Sequence, residues 1–406
     1  MSEWSLVTIE DIAATNKGAI AIGPFGSRMK GDSYVDSGVK VIRGNNISET
    51  KIFKNEFVYV SQEFAEGLGN ANVYGDDLVF PHRGAIGLIG IIPKDEHYVL
   101  SSSLMKLTVD TELASPEYVF YYFRSKLGRH EILKFSSTVG TPGIGQPLSS
   151  LRKMKLPLPK LAEQHDIASV LSKLDDKIDL LHRQNRTLEQ MAETLFRQWF
   201  VEDAKENWDK GTIENFGKVI TGKTPSKNNP DFWGSEYLFV TPSDFKGFGM
   251  YTTQTNRSLS NHGWDKFKSL QLPANCILVT CIGSDMGKVV ISNSDCITNQ
   301  QLNAIIPNED HAVGYIYHFL KSKYNLLRSM ALGGTTMPII NKGNFSSIEI
   351  PIPPVGVLMK FHEMWRGIAS KIEFNQLQIR TLVNLRDTLL PKLMSGEVVV
   401  SDLSNE

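Results

Sequence analysis

The chain contains only three cysteines among its 406 residues, Cys276, Cys281 and Cys296, and all lie within one short stretch. Their number is odd, and no CxxC or His–Cys grouping accompanies them. This excludes the disulfide framework of small secreted domains and argues against a structural zinc site. The sequence therefore predicts reduced thiols, no metal site and a cytoplasmic location.

Long apolar runs are also missing. No stretch approaches the roughly 20 residues of a membrane-spanning helix, and the first residues carry no apolar signal-peptide core. We therefore predict no membrane association.

A surplus of charge is missing as well, since 43 Lys and Arg oppose 44 Asp and Glu. Residues 161–203 hold nine acidic against five basic residues, so the rest of the chain is neutral to slightly basic. This balance argues against bulk electrostatic attraction to nucleic acid and leaves room for binding through local basic patches.

What the chain does contain is a second copy of much of itself. The offset between matching segments falls from 204 through 197 to 194, so the copies keep their order and differ by small insertions. A period of about 200 residues is too long for a solenoid and indicates two fused domain-plus-helix units with a pseudo-two-fold relation. The matching segments are WSLVTIEDIA from Trp4 and WDKGTIENFG from Trp208, EYVFYYFRSK (117–126) and GYIYHFLKSK (314–323), LPLP (156–159) and IPIP (350–353), and NRTL (185–188) and IRTL (379–382).

Each copy has the pattern of a mixed α/β (α+β) domain, in which short β-rich runs alternate with Gly- and Asn-rich turns. In the first copy a helix is predicted at about 116–135, with Ser115 and Pro116 as its N-cap and first turn. A corresponding helix is predicted near 312–330 in the second copy.

A long helix is predicted after each proline-containing strand. Apolar residues repeat with 4-3 spacing from Ile167 to Trp199 and again, 194 residues later, from Phe361 to Leu393. This spacing is typical of a coiled coil, and we predict that the two helices pair antiparallel as a rod of roughly 60 Å. The alternative is two separate amphipathic helices, each lying on its own domain. The predicted seam comprises Leu174, Ile178, Leu181, Asn185, Leu188, Ile368, Ile372, Asn375, Ile379 and Leu382.

One asparagine interrupts the seam in the middle of each helix. If Asn185 faces Asn375, residue numbers that face each other sum to 560. A lone asparagine in a seam costs stability unless its amide finds a partner, and such pairs fix the register. The sequence therefore predicts this pairing.

Apolar positions also lie beside the seam in both helices. They either contact the protein's own domains or form a surface, present twice, on which partner subunits dock, and the sequence leaves both interpretations open. The positions are Val170 and Met364, Leu180 and Phe374, and Met191 and Leu385.

Two motifs point toward chemistry that their surroundings do not support. Gly217–Thr224 fits the phosphate-binding pattern GxxxxGK[ST], but Pro225 and a polar run follow where that chemistry needs a helix. Asn229–Phe232 approaches the Asn-Pro-Pro-(Tyr/Phe) loop of adenine methyltransferases but has the wrong third residue. No catalytic grouping recurs in both copies, and this favours binding over catalysis.

With the duplication and the heptads in place, essentially the full chain resembles the specificity (S) subunit of type I restriction–modification systems. One departure is that the second helix lacks the Glu-Gln found at Glu163–Gln164 in the first, which leaves its first residue undetermined. The motifs that carry the resemblance are GPFGSRMKGDSY (23–34), GVKVIRGNNIS (38–48), SSSLMKL (101–107), LPLPKLAEQHDIASVLSKLDDKID (156–179), TGKTPSKNNPDFWG (221–234), YLFVTPSDF (237–245), TNQQLNAI (298–305) and LRDTLLPKLMSGEV (385–398).

The resemblance implies two target recognition domains at 1–160 and 204–354, spacer helices at 161–203 and 355–396, and a C-terminal tail at 397–406. Each domain would read one half of an asymmetric, bipartite site in double-stranded DNA. The helices would set the spacing and dock two methyltransferase subunits. The chain would be non-catalytic and bind no cofactor; S-adenosylmethionine, ATP and Mg²⁺ would belong to the methyltransferase and to motor-nuclease subunits where these are present.

Within such domains, the candidates for DNA contact are polar residues on loops that differ between the copies. Arginine suits guanine and asparagine suits adenine, whereas lysine more often holds phosphate. The candidates are Ser27, Arg28, Lys30, Arg43, Asn45, Asn46, His82 and Arg83 in the first copy, near the 138–146 loop, and Thr224, Ser226, Lys227, Asn228, Asn229, Trp233, Thr241, Ser243, Asp244 and Lys246 in the second.

Two other interpretations use the same features. A coiled-coil scaffold without DNA binding agrees with the near-zero net charge. A single-chain DNA methyltransferase would need the two defective motifs to function, and their surroundings oppose it.

Overall fold

The computed structural model describes residues 4–25, 28–54, 56–137, 142–204, 208–246, 249–283, 285–331 and 339–400. The chain divides into two compact units. Unit 1 comprises Met1–Asp179 and Thr381–Glu406, and unit 2 comprises Leu180–Arg380. Each unit therefore contains one mixed α/β domain and part of each long helix, whereas the sequence predicts the helices as separate segments.

Unit 1 contains short strands, four short helices and the first part of a long helix. The strands are β1 Ser5–Thr8, β2 Ile20–Ile22, β3 Val39–Ile42, β4 Val58–Val60, β5 Asn72–Val73, β6 Leu78–Pro81, β7 Gly90–Ile91, β8 Tyr98–Leu100, β9 Leu104–Leu107, β10 Ser136–Ser137, β11 Gly143–Ile144 and β12 Lys155–Leu158. The helices are α1 Gln62–Gly67, α2 Pro116–Arg124, α3 Lys126–Leu133, α4 Pro147–Lys153 and the long α5 Leu161–Arg197.

Two four-stranded sheets form the centre of unit 1. One has the order β2-β9-β6-β7, and the other has the order β4-β3-β8-β5 with β3 and β8 parallel. Strands β6, β8 and β9 are buried at every residue, which explains why β6 and β8 are apolar runs without alternation. The one charged residue among them, Lys106 of β9, is buried as an ion pair with Asp77 at 3.4 Å. Two small antiparallel ladders, β1-β12 and β10-β11, complete the unit.

The helix predicted at about 116–135 is two helices, α2 and α3, divided at Ser125. This residue has an extended backbone (φ −66°, ψ 163°), and its hydroxyl accepts a hydrogen bond from the Gly128 backbone N–H at 3.2 Å. A serine hydroxyl in this position caps a new helix. Gly128 also permits a close approach, because a Cβ there would lie 2.2 Å from the Tyr122 carbonyl oxygen.

Unit 2 repeats the plan of unit 1. Its strands are β13 Asp209–Thr212, β14 Gly217–Thr221, β15 Trp233–Gly234, β16 Tyr237–Val240, β17 Tyr251–Thr252, β18 Ser258–Leu259, β19 Ile277–Thr280, β20 Val289–Ser292, β21 Cys296–Thr298, β22 Leu302–Pro307 and β23 Glu349–Ile352. Its helices are α6 Ile213–Phe216, α7 Asn261–Lys266, α8 Val313–Ser322, α9 Tyr324–Ala331, α10 Lys342–Ser346 and the long α11 Val355–Met394. The sheets have the orders β14-β22-β19-β20-β17 and β15-β18-β16-β21, beside the β13-β23 ladder.

The sequence repeat is confirmed by matching hydrogen bonds. Ladder β1-β12 pairs Ser5 with Leu158, and β13-β23 pairs Asp209 with Ile352, which are the same positions at offsets of 204 and 194. In unit 1 the Tyr118 hydroxyl donates to the Pro157 carbonyl oxygen at 2.8 Å. In unit 2 the Tyr315 hydroxyl donates to the Pro351 carbonyl oxygen at 2.7 Å.

The asparagine pairing predicted from the seam is confirmed inside unit 2. The Asn375 side-chain amide donates to Asn185 Oδ1 at 2.8 Å, and both residues are buried. The rings of Trp199 and Phe361, whose numbers also sum to 560, lie 6.4 Å apart. Helices α5 and α11 therefore pair antiparallel there, in the predicted register. The alternative of two separate helices is wrong for this unit.

In unit 1 the other ends of the two helices also meet. Asp175 of α5 forms an ion pair with Arg386 of α11 at 2.8 Å, and Leu393 and Met394 are buried in the core together with Ile167 and Leu171. None of the ten predicted seam residues is exposed in the two units. Within the described ranges, no helix is long and apolar enough to cross a membrane.

Candidate nucleic-acid interface

In unit 1, three of the candidate loops converge on the Ser101–Ser103 turn that precedes β9. The Gly23 backbone N–H donates to the carbonyl oxygen of Leu104, just beyond this turn, at 2.9 Å, and the His82 backbone N–H donates to Ser103 at 2.9 Å. A Cβ built on Gly44 would lie 3.8 Å from the Arg83 carbonyl oxygen. The loops that begin at residues 23, 43 and 82 therefore form one surface.

Unit 2 places its candidate loops around a corresponding turn, Asn299–Gln301. The Lys223 backbone N–H donates to the Thr298 carbonyl oxygen at 3.0 Å, and the Asn299 backbone N–H donates to Val240 at 3.1 Å. The exposed residues Ser102 and Gln300 occupy these two central turns. Neither is among the sequence-predicted candidates, although both stand in segments (SSSLMKL and TNQQLNAI) that carry the family resemblance.

Asn46 holds the turn after β3 rather than a surface position. It is fully buried, and its Oδ1 accepts from the Arg43 backbone N–H at 2.9 Å. Its amide donates to the carbonyl oxygens of Lys54 at 3.0 Å and Glu56 at 3.2 Å. The prediction that Asn46 lies at the DNA surface is therefore corrected: the residue is buried, and both of its amide N–H groups are engaged within the domain.

Asp244 holds the corresponding turn of unit 2 in place through its hydrogen bonds. Its carboxylate accepts from the Thr241 backbone N–H at 2.8 Å and from the Asn256 backbone and side-chain N–H groups at 3.0 and 2.8 Å. It is buried, and its assignment to the DNA surface is also corrected. The Thr241 and Ser243 hydroxyls, 2.8 Å apart, remain at the surface of this turn.

His82 is buried, whereas its neighbour Arg83 is exposed. His82 Nε2 lies 2.9 Å from the Ser102 carbonyl oxygen, which can only accept, so this nitrogen carries the proton. Burial lowers the pKa of His82 and keeps the ring neutral. His82 therefore positions the loop, and its prediction as a DNA contact is corrected; Arg83 is the exposed member of the pair.

The remaining candidates of unit 1 differ in exposure. Arg28, Lys30 and Asn45 are exposed, whereas Arg43 is half-buried and donates from Nη2 to the Glu56 carbonyl oxygen at 2.7 Å. Ser27 and residues 138–141 lie outside the described residues.

In unit 2 the loop after β14 carries three exposed candidates, Ser226, Lys227 and Asn228. Thr224 donates from its hydroxyl to Gln300 Oε1 at 2.7 Å, which ties the loop to the central turn. Asn229 is half-buried, and its side chain accepts from the Asp231 backbone N–H at 3.1 Å. The side chain of Lys246 lies outside the described part of the chain.

Trp233 is half-buried and is joined by a residue that the sequence does not identify. The Arg257 guanidinium carbon lies 3.3 Å from the Trp233 ring centroid, a stacked cation–π contact. The pairing of β15 with β18 brings the two residues together, and the sequence around them does not predict this contact. Nearby, the rings of Tyr237 and Trp264 stack at 4.2 Å. At the position of Tyr237, unit 1 has the aliphatic residue Val39, so the two units present different side chains on this part of the sheet.

The phosphate-binding pattern at Gly217–Thr224 does not form a nucleotide loop. Gly217–Thr221 is strand β14, no α-helix follows, and the backbone N–H groups of Gly222 and Lys223 donate to protein carbonyl oxygens at 3.4 and 3.0 Å. The pattern therefore lacks the free amide groups that hold phosphate.

The three cysteines are unpaired, as the sequence predicts, and all three are buried. Burial raises the pKa of the Cys276 and Cys281 thiols to about 12 and also raises that of Cys296. Such thiols stay protonated near neutral pH, which argues against a nucleophilic role.

Comparison with known proteins identifies the fold and its relatives. A sequence profile described as "Type I restriction modification DNA specificity domain" matches residues 1–190 and 205–358. The chain is 26% identical to the type I restriction enzyme HindI specificity subunit of Haemophilus influenzae, over 80% of this chain and 86% of that one. It is 26% identical to the MjaIX specificity subunit of Methanocaldococcus jannaschii, over 71% and 70%. The crystal structure of a type I S subunit from M. genitalium shares the fold, with a TM-score of 0.65 at 16% identity over 96% of both chains.

Proposed function

This chain belongs to the family of type I restriction–modification DNA specificity subunits and carries two tandem recognition domains, and we propose that each domain reads one half of an asymmetric site in double-stranded DNA. The observation that supports this most directly is that the two units share the same hydrogen bonds in their framework but carry different residues on their exposed loops. The Tyr–Pro hydrogen bond and the turn held by Asn46 or Asp244 recur in both units. The exposed residues on the same turns, Asn45 and Ser243, differ.

The exposed loop residues are the ones proposed to contact DNA. In unit 1, Arg83 and Arg28 suit the acceptor pair of guanine, and Asn45 suits adenine. In unit 2, Asn228 is the corresponding amide, while Lys227 is suited to phosphate. Thr224, Ser226, Asn229, Trp233, Thr241 and Ser243 belong to the same proposed surface, with Ser102, Arg257 and Gln300 added by the structure.

The long helices are proposed to carry partner subunits and to fix the spacing between the two half-sites. In unit 2, Leu180, Met191, Met364 and Phe374 are exposed on α5 and α11, with exposed fractions of 39%, 52%, 51% and 53%. Leu385 is exposed in unit 1, whereas Val170 packs against the core of its own domain. Exposed apolar side chains on paired helices favour docking over internal packing for five of these six positions.

The proposed partners are two methyltransferase subunits and, where they occur, motor-nuclease subunits. In this proposal the chain itself is non-catalytic and cytoplasmic, and S-adenosylmethionine, ATP and Mg²⁺ belong to the partner subunits. Among the described residues no group of three His, Cys, Asp or Glu side chains is arranged to hold a metal ion.

The decisive experiment co-expresses the chain with its cognate methyltransferase subunit and maps methyladenine across the genome. We expect a bipartite motif, one half of which changes when residues 204–354 are exchanged for those of a relative while the other half stays constant. Methylation by the isolated chain would instead support a single-chain methyltransferase. A complex that forms without methylation or DNA binding would support a scaffold.

A sharper version compares one substitution in each unit. We expect Arg83→Ala to relax base preference in one half of the motif only, by about 1–3 kcal/mol at the position it reads. Asn228→Ala should relax the other half. Loss of preference in both halves from either substitution would contradict independent reading by the two domains.

A further inference from the structure

Unit 1 contains a basic groove of about 430 Å³ between its domain and the last turns of α11. Its walls include Arg124 and Arg386, which flank the buried Asp175, and Lys126 and Arg129 at the start of α3. Glu49 and Asp387 are its acidic residues. When the buried Asp175 is included, four positive side chains oppose three carboxylates, so the groove keeps a net positive charge. The positive side chains are Arg124, Lys126, Arg129 and Arg386, and the carboxylates are Glu49, Asp175 and Asp387.

The positive side chains differ in how firmly they are engaged. Arg386 makes an ion pair with Asp175 at 2.8 Å and one with Asp387 at 2.7 Å, and its side chain is only 11% exposed. Arg129 lies 3.8 Å from Glu49, and both side chains are well exposed, so this pair is weak. In the part of the chain that the structure describes, the Lys126 ammonium has no hydrogen-bond or ion-pair partner.

Unit 2 has the corresponding groove, with different charges. Its volume is about 390 Å³, and Gly287, like Gly87 in unit 1, lines it with a left-handed backbone (φ +88° and +89°). Two lysines, Lys288 and Lys321, oppose Glu189 and Glu193, so its lining is neutral. Lys321 lies 3.6 Å from Glu189 and 3.9 Å from Glu193. The shared fold therefore forms the groove, and only the first copy makes it basic.

The groove of unit 1 adjoins the proposed DNA-contacting loops. Ser48 in its wall is three residues from Asn45, and Gly87 is four residues from Arg83. Four residues span at most about 14 Å, and this length of duplex carries roughly eight phosphates. A duplex held by Asn45 and Arg83 therefore brings phosphates within reach of the groove.

We infer that the groove lined by Lys126 and Arg129 binds a backbone phosphate of the DNA duplex beside the half-site of unit 1, and that its counterpart in unit 2 does not. The inference rests on the proposed DNA-binding function and adds an asymmetric phosphate clamp to it. Lys126 offers an unneutralised ammonium. Arg129 packs against Gly87, where a Cβ would lie 3.2 Å from its Cγ, and exchanges its weak pair with Glu49 for the phosphate.

The test measures DNA affinity against salt for the complex with the methyltransferase subunit, using one duplex that carries the mapped motif and one with the motif scrambled. For Lys126→Gln/Arg129→Gln we expect the slope of log K against log salt to fall by about two, and affinity at about 0.15 M salt to fall roughly 30-fold on both duplexes. The methylation motif should stay unchanged. The matched variant Lys288→Gln/Lys321→Gln in unit 2 should leave the slope as it is.

The outcomes separate this inference from the proposed function. If the unaltered complex binds DNA and the unit 1 variant keeps its salt slope, the phosphate site is wrong and the DNA-binding function stands. If both matched variants reduce the slope equally, the asymmetry is wrong. If the unaltered complex binds neither duplex, both proposals fall. The charge-keeping double variant Lys126→Arg/Arg129→Lys should retain the slope of the unaltered complex, which excludes a general effect of substitution at these positions as the cause.

Discussion

The two units differ in the side chains that are buried where α5 and α11 pack against the domain. Those of unit 1 are charged, and those of unit 2 are apolar. In unit 1, Asp175 is buried between Arg124 and Arg386, and the Tyr121 hydroxyl donates to its carboxylate at 3.0 Å. Burial acts to raise the pKa of Asp175, but the two guanidinium groups outweigh burial and hold that pKa below its ordinary value.

In unit 2 the corresponding helix positions are Ala369 and Ala192, both buried. Their numbers sum to 561, as do those of Asp175 and Arg386. Arg124 is replaced by Lys321, which pairs with Glu189 and Glu193 at the surface. The frame therefore does not require buried charge at this position. The charged cluster is a property of the first copy, and it supports the basic groove that only this copy has.

Asp175→Ala is the substitution from which we expect the largest loss of stability in unit 1. It leaves two guanidinium groups without their carboxylate, and removing one partner of a buried ion network costs about 3–5 kcal/mol. We expect hydrogen exchange to speed up in α2 and in the last turns of α11, with the amides of unit 2 as an internal reference.

The double variant Asp175→Ala/Arg386→Ala reproduces the alanine pair of unit 2. It should be less destabilised than the sum of the two single variants, by about 0.5–3 kcal/mol, because the residues share one network. Strict additivity of the two substitutions would show that the cluster is not coupled.

A second difference concerns the first turn of each long helix. Gln164 is fully buried; its Oε1 accepts from the Ser115 backbone N–H at 2.8 Å, and its amide donates to the Pro159 carbonyl oxygen at 2.9 Å. In unit 2 the counterpart is Leu358, and the Ala312 backbone N–H donates locally to Glu309 at 3.0 Å. This exchange concerns the glutamine of the Glu-Gln pair that α11 lacks. Despite it, α11 begins at Val355, the counterpart of Leu161.

We therefore expect Gln164→Leu to destabilise unit 1 by about 2–3 kcal/mol, because it leaves the Ser115 N–H buried without an acceptor. Gln190→Leu, on an exposed face of the same helix, is the matched control and should change stability by less than about 0.5 kcal/mol. Urea denaturation with hydrogen exchange resolved along the chain measures both. Equal effects of the two variants would contradict a capping role for Gln164.

Where unit 1 has Tyr121, unit 2 has His318, and this difference predicts a pH dependence. His318 Nε2 accepts from Trp365 Nε1 at 3.1 Å, so the ring is neutral, and burial lowers the pKa of His318 to about 3. The folded pKa lies below the unfolded pKa, so the stabilisation is complete above about pH 6.5 and is lost as pH falls from there toward 3.

Lowering the pH from 7 to 5 should therefore destabilise unit 2 by about 2 kcal/mol through His318. Tryptophan fluorescence during urea denaturation reports mainly on unit 2, which holds five of the six tryptophans. His318→Phe should remove this part of the pH dependence. An unchanged dependence in that variant would assign it to other groups.

The paired helices and the ladders common to both units are well predicted from the sequence, because they depend on periodic or repeated residues. The heptads and the two asparagines specify the pairing of Asn185 with Asn375, and the repeat specifies the matching ladders. The break at Ser125 was beyond prediction from apolar content alone, because a serine inside a helical pattern signals a cap only through its backbone angles.

The candidate surface is harder to predict because exposure depends on contacts between distant segments. Asn46 and Asn45 are neighbours of the same type, yet one is buried by hydrogen bonds to Lys54 and Glu56 and the other is exposed. The stacking of Arg257 on Trp233 requires the pairing of β15 with β18. Residue type and loop position cannot distinguish such cases without the fold.

The smallest expected effect tests whether the buried asparagines serve stability or register. Asn375→Leu leaves Asn185 Oδ1 without its donor at 2.8 Å but adds apolar packing, so we expect a net loss of only about 1 kcal/mol. The double variant Asn185→Leu/Asn375→Leu should be more stable than either single variant, because no buried amide then lacks a partner. Its register is then no longer specified, because leucines pair equally well one heptad away. Cysteines introduced at Leu181 and Ile379, seam positions whose numbers sum to 560 and which therefore face each other across α5 and α11, should form a disulfide efficiently in the parent chain and less efficiently in the double-leucine variant. Equal cross-linking in both would show that the domains, rather than the asparagines, set the register of the helices.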